Sequence, residues 1–121
     1  MPLLNIKKLI RSFGYAFRGI YITFREEQNF RIAIFFSLVV IFFMIYYKIA
    51  LSSKVILTLT IVAGLILEIL NTILEKIVDI LKPRVHPYAE AIKDMMSGAC
   101  LLAFLGWIVS IYLIFRPYIF K

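Results

Sequence analysis

Apolar residues recur at Ile6, Leu9, Ile10, Phe13, Phe17, Ile20, Tyr21 and Phe24, while Lys7, Lys8, Arg11, Arg18 and Arg25 gather on the opposite side. The i, i+3, i+4, i+7 spacing covers about 120° of a helix and predicts an amphipathic helix over residues 5–27. With no soluble domain for it to cover, such a helix suits the headgroup plane of a bilayer. The periodicity then disappears. From Ile32 to Leu51 the chain is apolar apart from Lys48, with Tyr46, Tyr47 and Lys48 as an interfacial anchor, which predicts a first membrane span in a helix over 31–51. A short link near Ser52 to Lys54 leads to a second helix over 55–81, antiparallel to the first. Pro83 and Pro87 predict a loop from Lys82 to Tyr88, and a third helix over 88–115 enters the membrane near Met95.

Composition agrees with this pattern. The chain has 121 residues, 63% of them hydrophobic, and a mean hydropathy of +0.94, well above the apolar share of a soluble domain. The fold class predicted is therefore an all-α integral membrane protein, a single domain over 1–121. A surface helix and three thin spans cannot enclose a polar site alone, so the size predicts an oligomer. The net charge of +7 points to topology and anionic lipid rather than to nucleic acid. Six Lys and Arg lie in the N-terminal region through Arg31, two near the first link, four around the second loop and two at the C-terminus. The N-terminus and second loop are accordingly expected on the cytoplasmic side.

One feature breaks the apolar rule. Glu68, Asn71, Glu75 and Asp79 interrupt the second apolar helix, and at 100° per residue they fall within about 80° of one another, a polar stripe. Glu68 lies six residues before the apolar run ends at Leu74, hence about 9 Å inside the cytoplasmic boundary. A carboxylate at that depth is costly and marks a site, a pathway or a pairing. Glu26 and Glu27 at the end of the first helix, and Lys93, Asp94 and Ser97 at the start of the last, converge on the same membrane side.

Simpler roles exist for several of these residues. Glu75 and Asp79 could pair with Lys76 or Lys82, Lys93 with Asp94 could be a surface pair, and Ser97, Gly98 and Ala99 could serve close helix approach. Trp107 reads as packing, and lone Cys100 as a small packing residue. His86 has no second His or Cys to support a zinc site. Carboxylates, an amide and a lysine at a cytoplasmic edge could hold a magnesium nucleotide, and a deeper carboxylate could take a proton from a lipid hydroxyl. The same residues could carry protons in a small proton-coupled transporter subunit. The chain has neither a phosphate-binding Gly-rich loop nor a protein-kinase catalytic loop, and these physical arguments leave both readings open.

The stretch Glu68-Ile-Leu-Asn71-Thr72-Ile-Leu-Glu75-Lys-Ile-Val-Asp79, then His86-Pro87, then Lys93-Asp94-Met-Met-Ser97-Gly-Ala99, resembles the signature of the prokaryotic diacylglycerol kinase family, which includes undecaprenol kinases. Gly14-Tyr15, Arg18-Gly19, Glu27 and Phe30-Arg31 extend the resemblance over nearly the whole chain. It implies a homotrimer with active sites shared between neighbouring chains in a bacterial inner membrane, using ATP and Mg²⁺ to phosphorylate diacylglycerol or undecaprenol. By the same resemblance Glu68 is the general base on the lipid hydroxyl, and Glu27 and Glu75 are metal-binding carboxylates. Tyr15, Glu27, Asn71, Glu75, Arg84, His86, Lys93 and Asp94 fall at nucleotide positions, and Phe13, Arg18, Arg31, Glu68 and Ser97 at lipid positions. Ala33 departs from the polar residue often found there. Asn29-Phe30, Asn71-Thr72 and His86-Pro87 lean toward the undecaprenol branch, and Met95-Met96-Ser97 toward the diacylglycerol branch.

Overall fold

The computed structural model describes residues 3–81 and 86–120, His86 in its backbone alone. The regular structure among them is four helices: α1 (Ile6–Glu26), α2 (Gln28–Tyr46), α3 (Leu51–Leu81) and α4 (His86–Ile119). α2, α3 and α4 are each long and apolar enough to cross a bilayer. The chain is a membrane protein.

Local chemistry sets the ends. α1 starts where the Asn5 side-chain oxygen accepts a bond from the Lys8 N–H at 3.1 Å, covering one of the open donors of a first turn. It stops at Glu27, whose backbone is extended (φ −111°, ψ 115°) while its N–H still donates to the Thr23 carbonyl at 2.8 Å. α2 resumes at the very next residue, earlier than the expected 31, so the two helices meet at a one-residue elbow. Among the α1 side chains only Thr23 is buried, and the apolar residues from Ile6 to Phe24 are left uncovered by the chain.

The α2–α3 link differs from the sequence expectation. α2 ends at Tyr46 rather than Leu51, and Lys48 takes a left-handed φ of 50°. That conformation costs a non-glycine residue about 1–2 kcal/mol, so nothing in the local residue types announces it. The chain is held there by tertiary packing, with Ile49 buried and the Tyr47 ring against those of Phe115 and Tyr118. Ser52, Ser53 and Lys54, expected as the link, are already in α3, where the Lys54 N–H donates to the Ala50 carbonyl at 3.0 Å.

α4 begins at His86 rather than Tyr88 and carries Pro87 in its first turn, where a missing N–H is no loss. The expected break at Pro83 lies outside the described residues. α4 also runs past the expected Phe115 to Ile119, with Pro117 in its closing turns and the Arg116 guanidinium 5.8 Å over the Tyr112 ring.

Packing is concentrated at the end of the bundle where α2 turns into α3. Val40, Met44, Ile49, Leu57, Ile61 and Phe115 form the buried cluster, with Tyr47, Leu65, Trp107, Ile111, Ile114 and Tyr118 against it. The Phe43 and Tyr47 rings stack on each other and both meet the Phe115 ring edge-on, at centroid spacings of 6.0–6.5 Å, which stitches the end of α2 to α4. Most other large apolar side chains are exposed, as expected of surfaces that lipid or further chains cover.

Leu57 has no exposed surface. In a bilayer the gain from leaving water is absent and only packing remains, so Leu57→Ala is expected to cost about 2 kcal/mol, the low end of the range for soluble cores. Thermal unfolding of the detergent-solubilised protein checks this; an unchanged melting temperature would show that the cluster does not hold the helices together.

Candidate functional site

The opposite end of the bundle carries the polar side chains, set beside buried Phe30, Val78 and Ala89. Glu27 occupies the elbow, at the start of α2, where a negative charge is favoured by the helix dipole. The elbow is braced by Arg31, whose Nη1 donates to the carbonyls of Phe24 and Arg25 at 2.8 and 2.9 Å. These are open acceptors at the end of α1, and a guanidinium is well matched to them. Lys76 of α3 reaches across to Glu26 at 2.7 Å, rather than pairing with Glu75 or Asp79 on its own helix. α1, α2 and α3 are thereby tied together around Glu27.

On α3 the polar stripe is reproduced in space. The Asn71 side-chain N–H donates to Glu75 Oε1 at 3.4 Å, and both side chains are partly or fully buried. The Thr72 hydroxyl is turned back onto the Glu68 carbonyl at 3.0 Å, which removes it as a donor to the site. Asp79 is joined to α4 by Lys93, Nζ to Oδ1 2.9 Å, so Lys93 bridges helices instead of forming the local pair with Asp94. Asp94 and Ser97 are exposed on the following turns.

Electrostatics identify the centre of the cluster. Burial pushes the Glu27 carboxyl above its ordinary value of 4.5, and the Glu75 carboxylate pushes it further, against the pull of Lys76. Glu27 and Glu75 also lie close enough to act on the charge of Glu68. One Glu68 oxygen, Oε2, is buried with no hydrogen-bond partner. Glu68 also lines a cavity of about 360 Å³ between α2, α3 and α4, whose surface is mostly apolar and includes Asn29 and Ser97 at the same end.

Crowded carboxylates suit a cation. Among the described residues no group of three or more His, Cys, Asp and Glu could hold a metal by itself. Two carboxylates, Glu27 and Glu75, are the donors this cluster offers, a set compatible with an ion that completes its shell with oxygens from elsewhere.

The structure thus brings Glu27, Glu68, Asn71 and Glu75 together, with Lys93 and Ser97 at the margins. Phe13, Tyr15 and Arg18 are exposed on α1 and make none of the bonds that tie the cluster. Arg84 and the His86 side chain lie outside the described residues. Sequence reasoning missed the cavity itself, along with Gly64 and Trp107 on its wall and Cys100, whose Sγ is 3.7 Å from the Leu67 carbonyl. The available signal was the glycine one turn from Glu68.

The chain is similar to known proteins over most of its length. The sequence profile described as prokaryotic diacylglycerol kinase matches residues 14–115. The undecaprenol kinase of Bacillus subtilis is 34% identical over 114 residues, covering 93% of this chain and 92% of the relative. The diacylglycerol kinase of Synechocystis is 35% identical over 102 residues, covering 84% and 58% respectively. That of Escherichia coli is 26% identical over 106 residues, covering 85% and 84%.

Glu27 gives a pH test. A carboxyl raised in the folded state binds its proton more tightly there than in the unfolded chain, so folding is favoured at low pH and loses that advantage as pH climbs from 4.5 through the raised value. In metal- and nucleotide-free protein, Glu27→Gln is expected to melt higher than wild type above this window and to converge with it toward pH 4.5. A variant that melts lower at neutral pH would show that ionised Glu27 is stabilised by its neighbours instead.

Proposed function

Because the chain belongs to the prokaryotic diacylglycerol kinase family and is a lipid kinase, we propose that the carboxylate cluster is its phosphoryl-transfer site and that Glu68 is the base. The single observation that carries this is that Glu68, a carboxyl with one buried and unpartnered oxygen, lines an apolar cavity. A carboxyl so placed stands beside the space through which a hydroxyl would arrive from the bilayer.

The reaction balances simply. The lipid hydroxyl oxygen attacks the γ-phosphorus of ATP, its proton passes to Glu68, and ADP departs with the electrons of the broken P–O bond. Such transfer needs positioning and charge neutralisation more than covalent participation, so no phosphate loop is required. Glu27 and Glu75 would hold Mg²⁺, which would neutralise phosphate oxygens there. Asn71 fixes the Glu75 carboxylate through its 3.4 Å bond, and Lys93, held at the α3–α4 crossing, supplies positive charge to the polyphosphate. Tyr15, Asp94, Arg84 and His86 complete the nucleotide site, and Phe13, Arg18, Arg31 and Ser97 the lipid approach.

The exposure of Phe13, Tyr15 and Arg18 on α1 supports completion of each site by a neighbouring chain, in a homotrimer whose single-domain subunits span residues 1–121. α1 lies in the membrane surface of a bacterial inner membrane, with the N-terminus and the α3–α4 connection cytoplasmic. That places a water-soluble nucleotide and a membrane-bound acceptor, diacylglycerol or undecaprenol, on two sides of one carboxylate. A proton-carrier role for Glu68 is not needed once the chain is a kinase.

Glu68→Gln keeps the shape and removes the base. It is expected to lower phosphoryl transfer from labelled ATP to lipid by at least about 10²-fold, the usual worth of a general base, while nucleotide affinity and folding stay as in wild type. Full activity of this variant would end the assignment of Glu68 as base.

A further inference from the structure

The cavity continues well below the carboxylate. Its wall follows α3 from Glu68 to Thr60, a distance of about 12 Å at 1.5 Å per residue. Its width is set by absent side chains. Gly64 lies one turn from Glu68 on the same helix face, and a Cβ placed there would meet no atom within 4 Å. Ala33 of α2 and Ala103 of α4 line the same space.

The far end is closed by one large ring. α3 and α4 run antiparallel with Cys100 against Leu67, and seven residues further along each helix this register sets Trp107 level with Thr60. Trp107 lines the cavity and packs against the buried cluster behind it. Its Nε1 is buried without a partner among the described residues, and the ring contributes bulk at this end of the cavity. The hydroxyls of Ser37 and Thr60, also on the wall, are spent on the carbonyls of Ala33 and Leu57 at 2.7 and 2.8 Å. Away from Glu68 the cavity offers hydrocarbon no competing polar demand.

We propose that Gly64 and Trp107 determine which acceptor lipids the kinase takes: Gly64 opens the lane for the hydrocarbon chain next to the reactive hydroxyl, and Trp107 stops that lane about 12 Å below Glu68. Beyond Trp107 a longer chain has to leave the cavity between helices into the bilayer. The inference rests on the lipid-kinase reading.

Trp107 is the only tryptophan of the chain, so its fluorescence reports occupancy without any turnover. In vesicles, a diacylglycerol brominated along its acyl chains should quench Trp107 saturably, beyond the quenching by an equal fraction of phosphatidylcholine brominated in the same way. Gly64→Leu should weaken that saturable quenching roughly tenfold and raise KM for lipid by a similar factor. KM for ATP should not change. If Gly64→Leu does not fold, Gly64→Ala should shift both quantities in the same direction by a smaller factor.

Trp107→Ala should raise kcat/KM for dioleoylglycerol relative to dioctanoylglycerol roughly tenfold. Equal quenching in the wild type and the folded Gly64 variant, or phosphorylation of the brominated lipid with no quenching beyond the phosphatidylcholine control, overturns the proposal and leaves the kinase reading intact. An unchanged chain-length preference in Trp107→Ala overturns the role of Trp107. Saturable quenching with no phosphorylation of any lipid would instead overturn the kinase reading and keep the cavity.

Discussion

A carboxylate buried in an apolar span has to be compensated, and the organisation of this chain follows from where the compensation is withheld. Glu68 Oε2 has no partner, and the nearest acidic groups, Glu27 and Glu75, oppose its charge rather than balance it. The protein keeps the cations to the edge of the cluster: Lys76 is engaged by Glu26, Lys93 by Asp79, and Arg31 by the end of α1. Had any of these reached Glu68, the helix would gain a paired charge. A carboxyl left so at membrane depth is costly, and it marks a position that the rest of the fold has to support.

Such a site needs support elsewhere, and the bundle divides the work between its ends. The aromatic and aliphatic cluster near the α2–α3 turn holds most of the buried apolar side chains, while the carboxylate end adds polar bridges between its helices to the buried Phe30, Val78 and Ala89. Between the two lies an unfilled volume, lined at mid-height by glycine and alanine and closed by Trp107. The single-residue elbow at Glu27 lets α1 and α2 meet at one carboxylate.

The helical architecture was legible because hydrophobicity changes period along the chain: 3.6 residues through Phe24, continuous thereafter, and interrupted at Glu68 by a polar series that stays on one face. The site was legible for a related reason, since spacing along α3 alone brings Glu68, Asn71, Glu75 and Asp79 into one stripe. The boundaries were less so. The link between α2 and α3 turns at Lys48, a residue with no preference for a left-handed backbone, and it does so because Ile49 and Tyr47 find partners across the bundle. Pro87 was read as a helix breaker and is tolerated in the first turn of α4, where helices carry no N–H bond to lose.

Sequence by itself determined that this chain is helical, that three of its helices are long and apolar enough to cross a membrane, and that one carboxylate interrupts an apolar helix. Those properties depend on composition and on the fixed geometry of a helix, both local. Only the tertiary structure decided which charges pair, that Arg31 braces the elbow, that Lys93 crosses to Asp79, and that Gly64 and Trp107 bound a cavity beneath Glu68. Pairing and empty volume depend on the register between helices, and register is set by the packing of many side chains at once.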